Sequence, residues 1–333
     1  MLSKIVIGAA GSIGSELCRQ ITLNEPMQLV LLGHGENSIS VITNELHRSY
    51  AKVQFVPVIA DIRDPNRIYA VFSELRPDVV FHAAAHKNVP LMEVNEEDAV
   101  TNNVLGTRNV LDACVTHGVM RFVLLSTNTA VNPEGIMGAT KRVAELLVQQ
   151  RAALIGRAYV AVRFGNVLSP RGSIVSLFKE QIARGGPLTI THPDTRRYLM
   201  SAPEAVQLIL LAATLGKGGE IFALDFGDPI KIMNLARELI RLSGLEDNDI
   251  EVQFIGLRPG EKLFEEPFTS GEEYTSTRHE KIFMVEKPLG VLDHVDDLIQ
   301  AAQENDSDKI RKLLHIIVPE YVSRSAASPR PMD

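Results

Sequence analysis

Short apolar stretches alternate with longer amphipathic stretches through the first 165 residues of the chain. The short stretches are rich in β-branched residues and predict strands at residues 4–7, 29–32, 54–57, 79–82, 122–125 and 160–163. The longer stretches repeat apolar residues at helical spacing and predict helices at residues 12–23, 37–50, 65–75, 97–117 and 136–151. Strands without a polar face are typical of parallel sheets that helices cover on both sides. This order predicts an α/β fold, a Rossmann-type doubly wound parallel sheet.

The pattern becomes less regular after residue 165. Strands predicted at residues 188–191, 221–224 and 251–255 alternate there with helices predicted at 173–184, 203–215 and 230–242. We therefore expect a first domain at residues 1–165 and a smaller C-terminal α/β lobe at residues 166–322 that can exchange segments with it. Residues 323–333, rich in Ser and Pro, are expected to form a frayed tail.

The composition narrows the classes of partner. The 333 residues include 34 basic and 41 acidic side chains, a net charge of −7, which argues against nucleic acid as a partner. No apolar stretch approaches the ~20 residues of a membrane-spanning helix, and the first strand begins where a signal sequence would have its basic and apolar regions. The chain as given is therefore expected to be cytoplasmic. Cys18 and Cys114 lie in apolar periodic stretches and are expected to be buried, so no metal site is predicted.

A glycine motif follows the first strand and opens the first helix. Gly8, Gly11 and Gly14 have the G-x-x-G-x-x-G spacing, with Ser12 and Ile13 between the last two. Glycines allow a tight turn and a close approach of the backbone to a pyrophosphate, while the helix N-terminus offers N–H groups. The spacing resembles that of short-chain dehydrogenases/reductases. These five residues are predicted to bind NAD or NADP; the alternative is a glycine turn needed only for packing.

The end of the second strand bears on the choice between NADP and NAD. The acid that usually binds the adenosine ribose would fall near Gly33. His34 brings a side chain that can carry positive charge, and Glu36 can still reach a ribose hydroxyl. Because a carboxylate that would repel a 2′-phosphate is absent, NADP is favoured over NAD.

Two further strand ends are predicted to contact the cofactor. Asp61 and Ile62, after the third strand, are placed to meet the adenine edge; alternatively, Asp61 is the partner of a helix N-cap. Ala83 and Ala84, after the fourth strand, offer small side chains where the backbone must run beside the cofactor.

Long motifs at residues 82–93, 101–107, 130–133 and 137–142 resemble those of a known family. The match continues at residues 163–167, 178–182, 192–194, 203–207, 216–221, 257–263 and 279–282. By these motifs the chain resembles the nucleotide-sugar 4,6-dehydratases of bacterial polysaccharide biosynthesis, the capsule-protein branch that acts on UDP-N-acetylglucosamine. Many relatives carry an N-terminal membrane region, so the resemblance implies a soluble member or a soluble fragment.

The resemblance implies a mechanism. Hydride leaves C4 of the sugar for the nicotinamide, water is eliminated across C5 and C6, and the hydride returns to C6. Most short-chain dehydrogenases use Tyr-x-x-x-Lys, whereas this branch has Met at the Tyr position, which Met137 and Lys141 match. Lys141 would then bind the nicotinamide ribose and place positive charge near the developing oxyanion. The alternative is an exposed helical lysine.

The chain departs from the family after the fifth strand. There the family has an Asp that protonates the departing C6 oxygen and a Lys that acts as base at C5; this chain has Asn128 and Thr129, after Thr127. Asn cannot deliver a proton and Thr has neither the charge nor the reach of Lys. The exchange is compatible with natural divergence and with an engineered substitution. His86 and Lys87 are alternative proton carriers, although Lys87 is favoured as a contact to sugar or phosphate.

The substrate of this family is a nucleotide diphosphate sugar, and cationic and amide side chains are predicted to bind it. Arg258 is the preferred contact to the diphosphate because a guanidinium can bridge two phosphate oxygens. Glu261 is expected to hold ribose hydroxyls or to orient Arg258. The other residues predicted to bind a UDP-N-acetylhexosamine, besides Lys87, are Asn166, Val167, Ser173 at the turn that includes Arg171, and Arg197.

Three functions remain open at this point. The first is a 4,6-dehydratase of polysaccharide or glycan biosynthesis, impaired at its proton-transfer pair. The second is a 4-epimerase, because oxidation at C4 without elimination allows the hydride to return to the opposite face. The third is a non-catalytic NADP-binding sensor. By resemblance alone, a homo-oligomer is expected, with helices 97–117 and 136–151 in a four-helix dimer seam.

Overall fold

A nine-stranded sheet is the centre of the fold in the computed structural model, which describes residues 2–168, 173–266, 268, 272–286 and 292–323. The strands, in chain order, are β1 Ser3–Ile7, β2 Gln28–Gly33, β3 Gln54–Ile59, β4 Val79–His82, β5 Arg121–Leu125, β6 Ala158–Arg163, β7 Asn166–Leu168, β8 Leu188–Ile190, β9 Arg196–Arg197, β10 Leu199–Ser201, β11 Ile221–Leu224, β12 Ile230–Lys231, β13 Val252–Phe254, β14 Glu273–Ser276 and β15 Ile282–Glu286. Arg171 and the predicted tail beyond residue 323 lie outside the described residues.

The helices follow the predicted amphipathic stretches closely. They are α1 Ser12–Thr22, α2 Glu36–Ser49, α3 Pro65–Leu75, α4 Val89–Met92, α5 Glu96–Val100, α6 Gly106–Thr116, α7 Ile136–Ile155, α8 Ile174–Ala183, α9 Ala202–Leu215, α10 Ile232–Leu242, α11 Val295–Gln303 and α12 Ser307–Ile317. Within the part of the chain that the structure describes, no helix is long and apolar enough to cross a membrane.

The single helix predicted at residues 97–117 is interrupted. A π-helical turn, Thr101–Leu105, separates α5 from α6. This wider turn contains the buried Asn103, whose amide accepts from the His86 backbone N–H at 2.8 Å and donates to the His86 carbonyl at 3.0 Å. Helical periodicity does not reveal such an insertion, because the apolar spacing before and after it is unchanged.

The sheet order is β14-β15-β11-β6-β5-β4-β1-β2-β3. Neighbours from β3 to β11 run parallel, whereas β15 and β14 add an antiparallel edge. The predicted doubly wound parallel sheet is therefore confirmed, with this addition. β11, which we predicted within the smaller lobe, instead pairs with β6 of the main sheet, and α9 packs on the same sheet. β11 and α9, which come after residue 165, therefore belong to the main sheet.

Two apolar cores cover the faces of the main sheet, and a third belongs to the smaller lobe. Cys18 and Cys114 lie fully buried in the first two, as predicted. The third core joins α8, α10, β8 and β13 around buried side chains such as Phe178 and Ile240. α11 and α12 return to the first domain and pack against α5 and α7.

Candidate functional site

The glycine loop between β1 and α1 has the shape that a pyrophosphate requires. Gly8 has φ +82°, and its N–H donates to the Leu32 carbonyl of β2 at 2.8 Å. A Cβ on Gly14 would lie 2.0 Å from the Gly8 carbonyl oxygen, so only glycine lets α1 approach the loop this closely. The N-cap of α1 is Gly11, which has no side chain to accept from the first-turn N–H groups. These N–H groups fit the phosphates of a dinucleotide.

His34 and Glu36 are exposed beside this loop, where β2 ends. Asp61 follows β3 and forms an ion pair with Arg63 at 2.7 Å. The hydrogen bond from Arg63 lowers the pKa of Asp61. The N-cap of α3 is Asp64, so the alternative role of Asp61 at a helix cap is wrong. The Ile62 side chain is buried in the core, which leaves its backbone to meet a nucleotide.

The end of β4 lies directly against the glycine loop. A Cβ on Gly8 would come within 2.7 Å of the Ala84 backbone nitrogen and 2.8 Å of the Ala83 carbonyl carbon. Farther along, the His86 Nε2 pairs with Asp98 at 3.0 Å, and Lys87 is exposed. The small side chains predicted beside the cofactor therefore stand next to the predicted pyrophosphate loop.

Lys141 is buried on α7, with only 4% of the residue exposed. Its Nζ donates to the Leu125 carbonyl at the end of β5, at 2.7 Å. Burial lowers the pKa of Lys141 to about 8. The alternative of an exposed helical lysine is therefore wrong. Met137, one turn earlier, is 4% exposed and packs in the apolar core, so this position offers no proton.

Thr127, Asn128 and Thr129 form a hydrogen-bonded loop just after β5. The Thr127 hydroxyl donates to the Asn128 Oδ1 at 3.3 Å and contacts the Thr129 hydroxyl at 3.1 Å. The Asn128 Nδ2 donates to the Glu265 carboxylate at 2.9 Å. Since a carboxylate has only acceptors, this contact fixes the orientation of the Asn128 amide. The loop holds no acidic or basic side chain of its own.

Glu265 is a site residue that sequence reasoning missed. Its side chain is 10% exposed, and its carboxylate also accepts from the Asn166 Nδ2 at 2.9 Å and lies 3.3 Å from the Arg197 Nε. The available signal was the acidic pair, Glu265 and Glu266, that follows the predicted Arg258 motif.

Two arginines that are predicted to contact the substrate, Arg258 and Arg197, both pair with Glu261. The Arg258 Nε pairs with Glu261 at 3.2 Å, and 52% of the Arg258 side chain is exposed. Arg197 donates to the carbonyls of Lys262 and Leu263, and its Nη2 lies 3.3 Å from Glu261. Glu261 therefore orients both arginines in this structure.

Ser173 and Val167 have structural roles as well. Ser173 is the N-cap of α8, and its hydroxyl accepts from the Ser176 N–H at 3.3 Å. Val167 lies in β7, paired with Met200 of β10, and packs against the apolar core. Asn166 lies next to Val167 at the start of β7, and its side chain hydrogen-bonds to Glu265.

A buried charge cluster supports the site from behind. Glu145 of α7 accepts from Ser126 at 2.6 Å and pairs with Arg163 at 2.8 Å and Arg142 at 2.9 Å. Burial by itself raises the pKa of Glu145. The opposing charge of Arg163 outweighs this effect and lowers the pKa to about 2. The cluster ties the end of β5 to α7 and β6. Within the described ranges, no group of three or more His, Cys, Asp or Glu could hold a metal ion.

Comparison with known families and curated proteins gives consistent matches. The family model described as polysaccharide biosynthesis protein matches residues 5–287. The chain is 49% identical over 314 residues to the capsular polysaccharide biosynthesis protein CapD of Staphylococcus aureus. The aligned residues cover 94% of this chain and 52% of CapD. The chain therefore spans about half the length of that relative.

Two further relatives are named for different reactions. The chain is 29% identical over 316 residues to a UDP-N-acetylglucosamine 4,6-dehydratase (inverting) of Campylobacter jejuni, covering 92% of this chain and 89% of the relative. It is 32% identical over 275 residues to a UDP-glucose 4-epimerase of Rickettsia bellii, covering 80% and 78%.

Solved structures share the architecture. Pen from Bacillus thuringiensis matches with a TM-score of 0.80 and 31% identity, covering 86% of this chain and 90% of Pen. A double mutant of the dTDP-glucose 4,6-dehydratase DesIV from Streptomyces venezuelae, solved with NAD bound, matches with a TM-score of 0.69 and 19% identity, covering 94% and 100%. The second likeness concerns the fold alone. Together they support the predicted Rossmann-type doubly wound fold.

Proposed function

This chain belongs to the polysaccharide biosynthesis protein family, as its motifs predicted, and from that premise we propose that it oxidises C4 of UDP-N-acetylglucosamine as the first step of a 4,6-dehydration. The single observation that carries the proposal is the burial of Lys141 at the end of β5, where its Nζ contacts the Leu125 carbonyl. A buried ammonium at this position stabilises negative charge that develops on the C4 oxygen. The name of the Campylobacter jejuni relative supports the substrate and the reaction.

The chain's residues divide the work between two ends of the site. The glycine loop, with the backbone of residues 83–84, holds the dinucleotide; when bound, NAD or NADP supplies a reversible hydride acceptor. Arg258, with Arg197 behind it, faces the diphosphate of the sugar nucleotide. Both arginines must exchange part of their pairing with Glu261 for phosphate oxygens, which a guanidinium does readily because it offers five N–H donors.

We prefer NADP as the cofactor. Gly33 and His34 leave no carboxylate at the end of β2, where a 2′-phosphate would lie. Isothermal titration is expected to give NADP an affinity at least equal to that of NAD. A tenfold preference for NAD, about 1.4 kcal/mol, would contradict this choice.

A 4-epimerase is the second candidate, and the loop after β5 favours it. Asn128 and Thr129 replace the acid and base of the family. Within the loop, both side chains hydrogen-bond to the Thr127 hydroxyl, which is not an acid or a base. A site that oxidises C4 without eliminating water can return the hydride to the other face of the ketone. The Rickettsia bellii relative is named for such a reaction on UDP-glucose.

Incubation with UDP-N-acetylglucosamine and cofactor tests these candidates. Mass spectrometry and proton NMR of the product distinguish them: loss of one water indicates dehydration, and unchanged mass with an inverted C4 indicates epimerisation. Binding without any change of the sugar would support the sensor and overturn the enzyme proposal. The variant Lys141→Met, which keeps the length of the side chain without its charge, is the matched control for oxidation at C4.

A further inference from the structure

The loop that lost its acid and base lies against a carboxylate from another part of the chain. Glu265 is 137 residues from Asn128 in sequence, yet its Oε2 lies 2.9 Å from the Asn128 Nδ2. Among the described residues, Glu265 is the one titratable side chain whose hydrogen bond to residues 127–129 the structure shows. The position at which the family transfers a proton therefore has a proton-accepting group one side chain away.

Four of the other ionisable groups near this edge of the sheet are held elsewhere. The Lys262 Nζ is buried and donates to the Val131 carbonyl at 2.7 Å. The Lys141 Nζ is engaged with the Leu125 carbonyl, and His86 pairs with Asp98. Glu266 accepts from Asn132 at 2.8 Å and is half exposed. None of these groups contacts Asn128 in the described structure.

The contacts of Glu265 hold its carboxylate in a fixed place beside the loop after β5. Neutral amides of Asn128 and Asn166 hold the carboxylate from two sides, and Arg197 lies at 3.3 Å from it. The two amides and the guanidinium together fix the position of both carboxylate oxygens. Although Glu265 lies in the loop segment after β13, these hydrogen bonds give its carboxylate a defined position at the end of β5, which proton transfer requires.

We propose that Glu265 is a catalytic residue of this chain, the carboxylate that transfers the C5 proton of the sugar in place of the family's Asp and Lys. The proposal rests on the proposed function, because the C5 proton becomes acidic only once C4 is a ketone. Asn128 and Asn166 are then positioning residues, which hold the carboxylate toward the sugar.

One carboxylate is enough to carry the proton during the elimination of water. Glu265 takes the C5 proton, and the electrons of the C5–H bond form the enolate of the C4 ketone. The protonated carboxyl then gives this proton to the C6 hydroxyl as the C6–O bond breaks. Water leaves, a C5–C6 double bond forms, and Glu265 is a carboxylate again. The hydride removed at C4 then adds to C6, and C5 takes up a proton from solvent, which balances the proton released from the C4 hydroxyl.

The test compares Glu265→Gln with the control Glu266→Gln in the full chain. Gln keeps an oxygen that accepts from Asn128 but cannot take up a proton. Three quantities are measured for each protein: reduction of the nicotinamide on adding UDP-N-acetylglucosamine, the rate at which deuterium from D₂O enters C5, and UDP affinity by calorimetry. We expect Glu265→Gln to slow deuterium entry ~10²–10⁴-fold, the usual contribution of a general acid or base. Nicotinamide reduction and UDP binding should persist, and Glu266→Gln should behave as wild type.

The outcomes distinguish failure of the role of Glu265 from failure of the proposed function. Deuterium entry in Glu265→Gln at the wild-type rate, with nicotinamide reduction intact, overturns the role of Glu265 and leaves the proposed function standing. Nicotinamide reduction without deuterium entry in the wild type also overturns that role and favours epimerisation. Absence in the wild type of nicotinamide reduction, of deuterium at C5 and of any change of the sugar overturns the proposed function and the role of Glu265 with it. Loss of UDP binding in Glu265→Gln would show a structural residue, contrary to the proposal.

Discussion

Lys141 and Asn128 show how the surroundings of one side chain set its chemistry. Burial lowers the pKa of Lys141 from 10.5 to about 8, so the ammonium is less strongly favoured than in water. The Glu265 carboxylate fixes the Asn128 amide with its nitrogen toward Glu265 and its oxygen toward Thr127. In both cases the residue type was visible in the sequence, whereas its partner was not.

The lowered pKa of Lys141 predicts a pH-dependent stability. The folded protein binds this proton less tightly than the unfolded chain, so Lys141 adds stability as pH rises through the window between about 8 and 10.5. We expect the unfolding free energy of the wild type, relative to Lys141→Met, to rise by about 2–3 kcal/mol between pH 7 and pH 10. Urea denaturation of both proteins across this range measures it; a constant difference would contradict the lowered pKa.

Restoring the family's pair at residues 128 and 129 predicts a gain of activity. In a Glu265→Gln background, Asn128→Asp together with Thr129→Lys should raise the rate of 4,6-dehydration by several orders of magnitude, because acid and base steps each contribute ~10²–10⁴-fold. Product analysis by mass spectrometry measures the rate, and Asn128→Asp alone is the matched control. Dehydration by the unmodified chain at ordinary rates of ~1–10³ per second would show that another residue already transfers the proton.

At the scale of secondary-structure elements, one buried cluster joins the three elements that position Lys141 and the loop at 127–129. Glu145 on α7 binds Ser126 after β5 and Arg163 at the end of β6. Loss of one partner in such a cluster leaves buried charge without compensation. The site therefore depends on a residue that lies behind it.

The variant Glu145→Gln is expected to lower the free energy of unfolding by up to about 3–5 kcal/mol, because Arg142 and Arg163 lose a shared buried charge and keep only Glu320 and Glu272 as carboxylate partners. The control is Glu180→Gln, which removes an exposed pair with Arg184 and should cost less than about 1 kcal/mol. Chemical denaturation measures both changes. Equal losses in the two variants would rule out a special role of the buried cluster.

At the scale of the whole molecule, elements that come late in the chain pack with elements of the first 165 residues. β11, α9 and the helices α11 and α12 come late in the chain but pack with the first domain. α12 covers part of α7, so the face we predicted for a dimer seam is partly covered within the chain. The site lies where the segment around Glu265 returns to the loop after β5.

A homo-oligomer remains our prediction for the molecule in solution. The seam predicted from helices 97–117 and 136–151 would use the surface of α6 and α7 that α11 and α12 leave open. Light scattering at micromolar concentration should give a mass of at least twice the 36.6 kDa of one chain. A mass near 36.6 kDa that does not change on tenfold dilution would contradict it.

The sequence by itself determined most strands and helices of the first 165 residues and the glycine loop. β4 and α3 match their predicted bounds, and the glycine loop lies where its spacing predicted. These features depend on residues that are neighbours in the chain, since apolar periodicity and turn geometry are local properties. The family motifs also lie in such continuous stretches.

The tertiary structure alone decided which distant segments meet. β11 joined the main sheet because the edge of β6 was open to a parallel partner, which no local pattern records. Lys141 became buried, and Glu265 came to Asn128 across 137 residues, through packing of the whole chain. Burial and charge contacts of this kind depend on the sum of many long-range contacts, so the chemistry of the site was set only once the fold had formed.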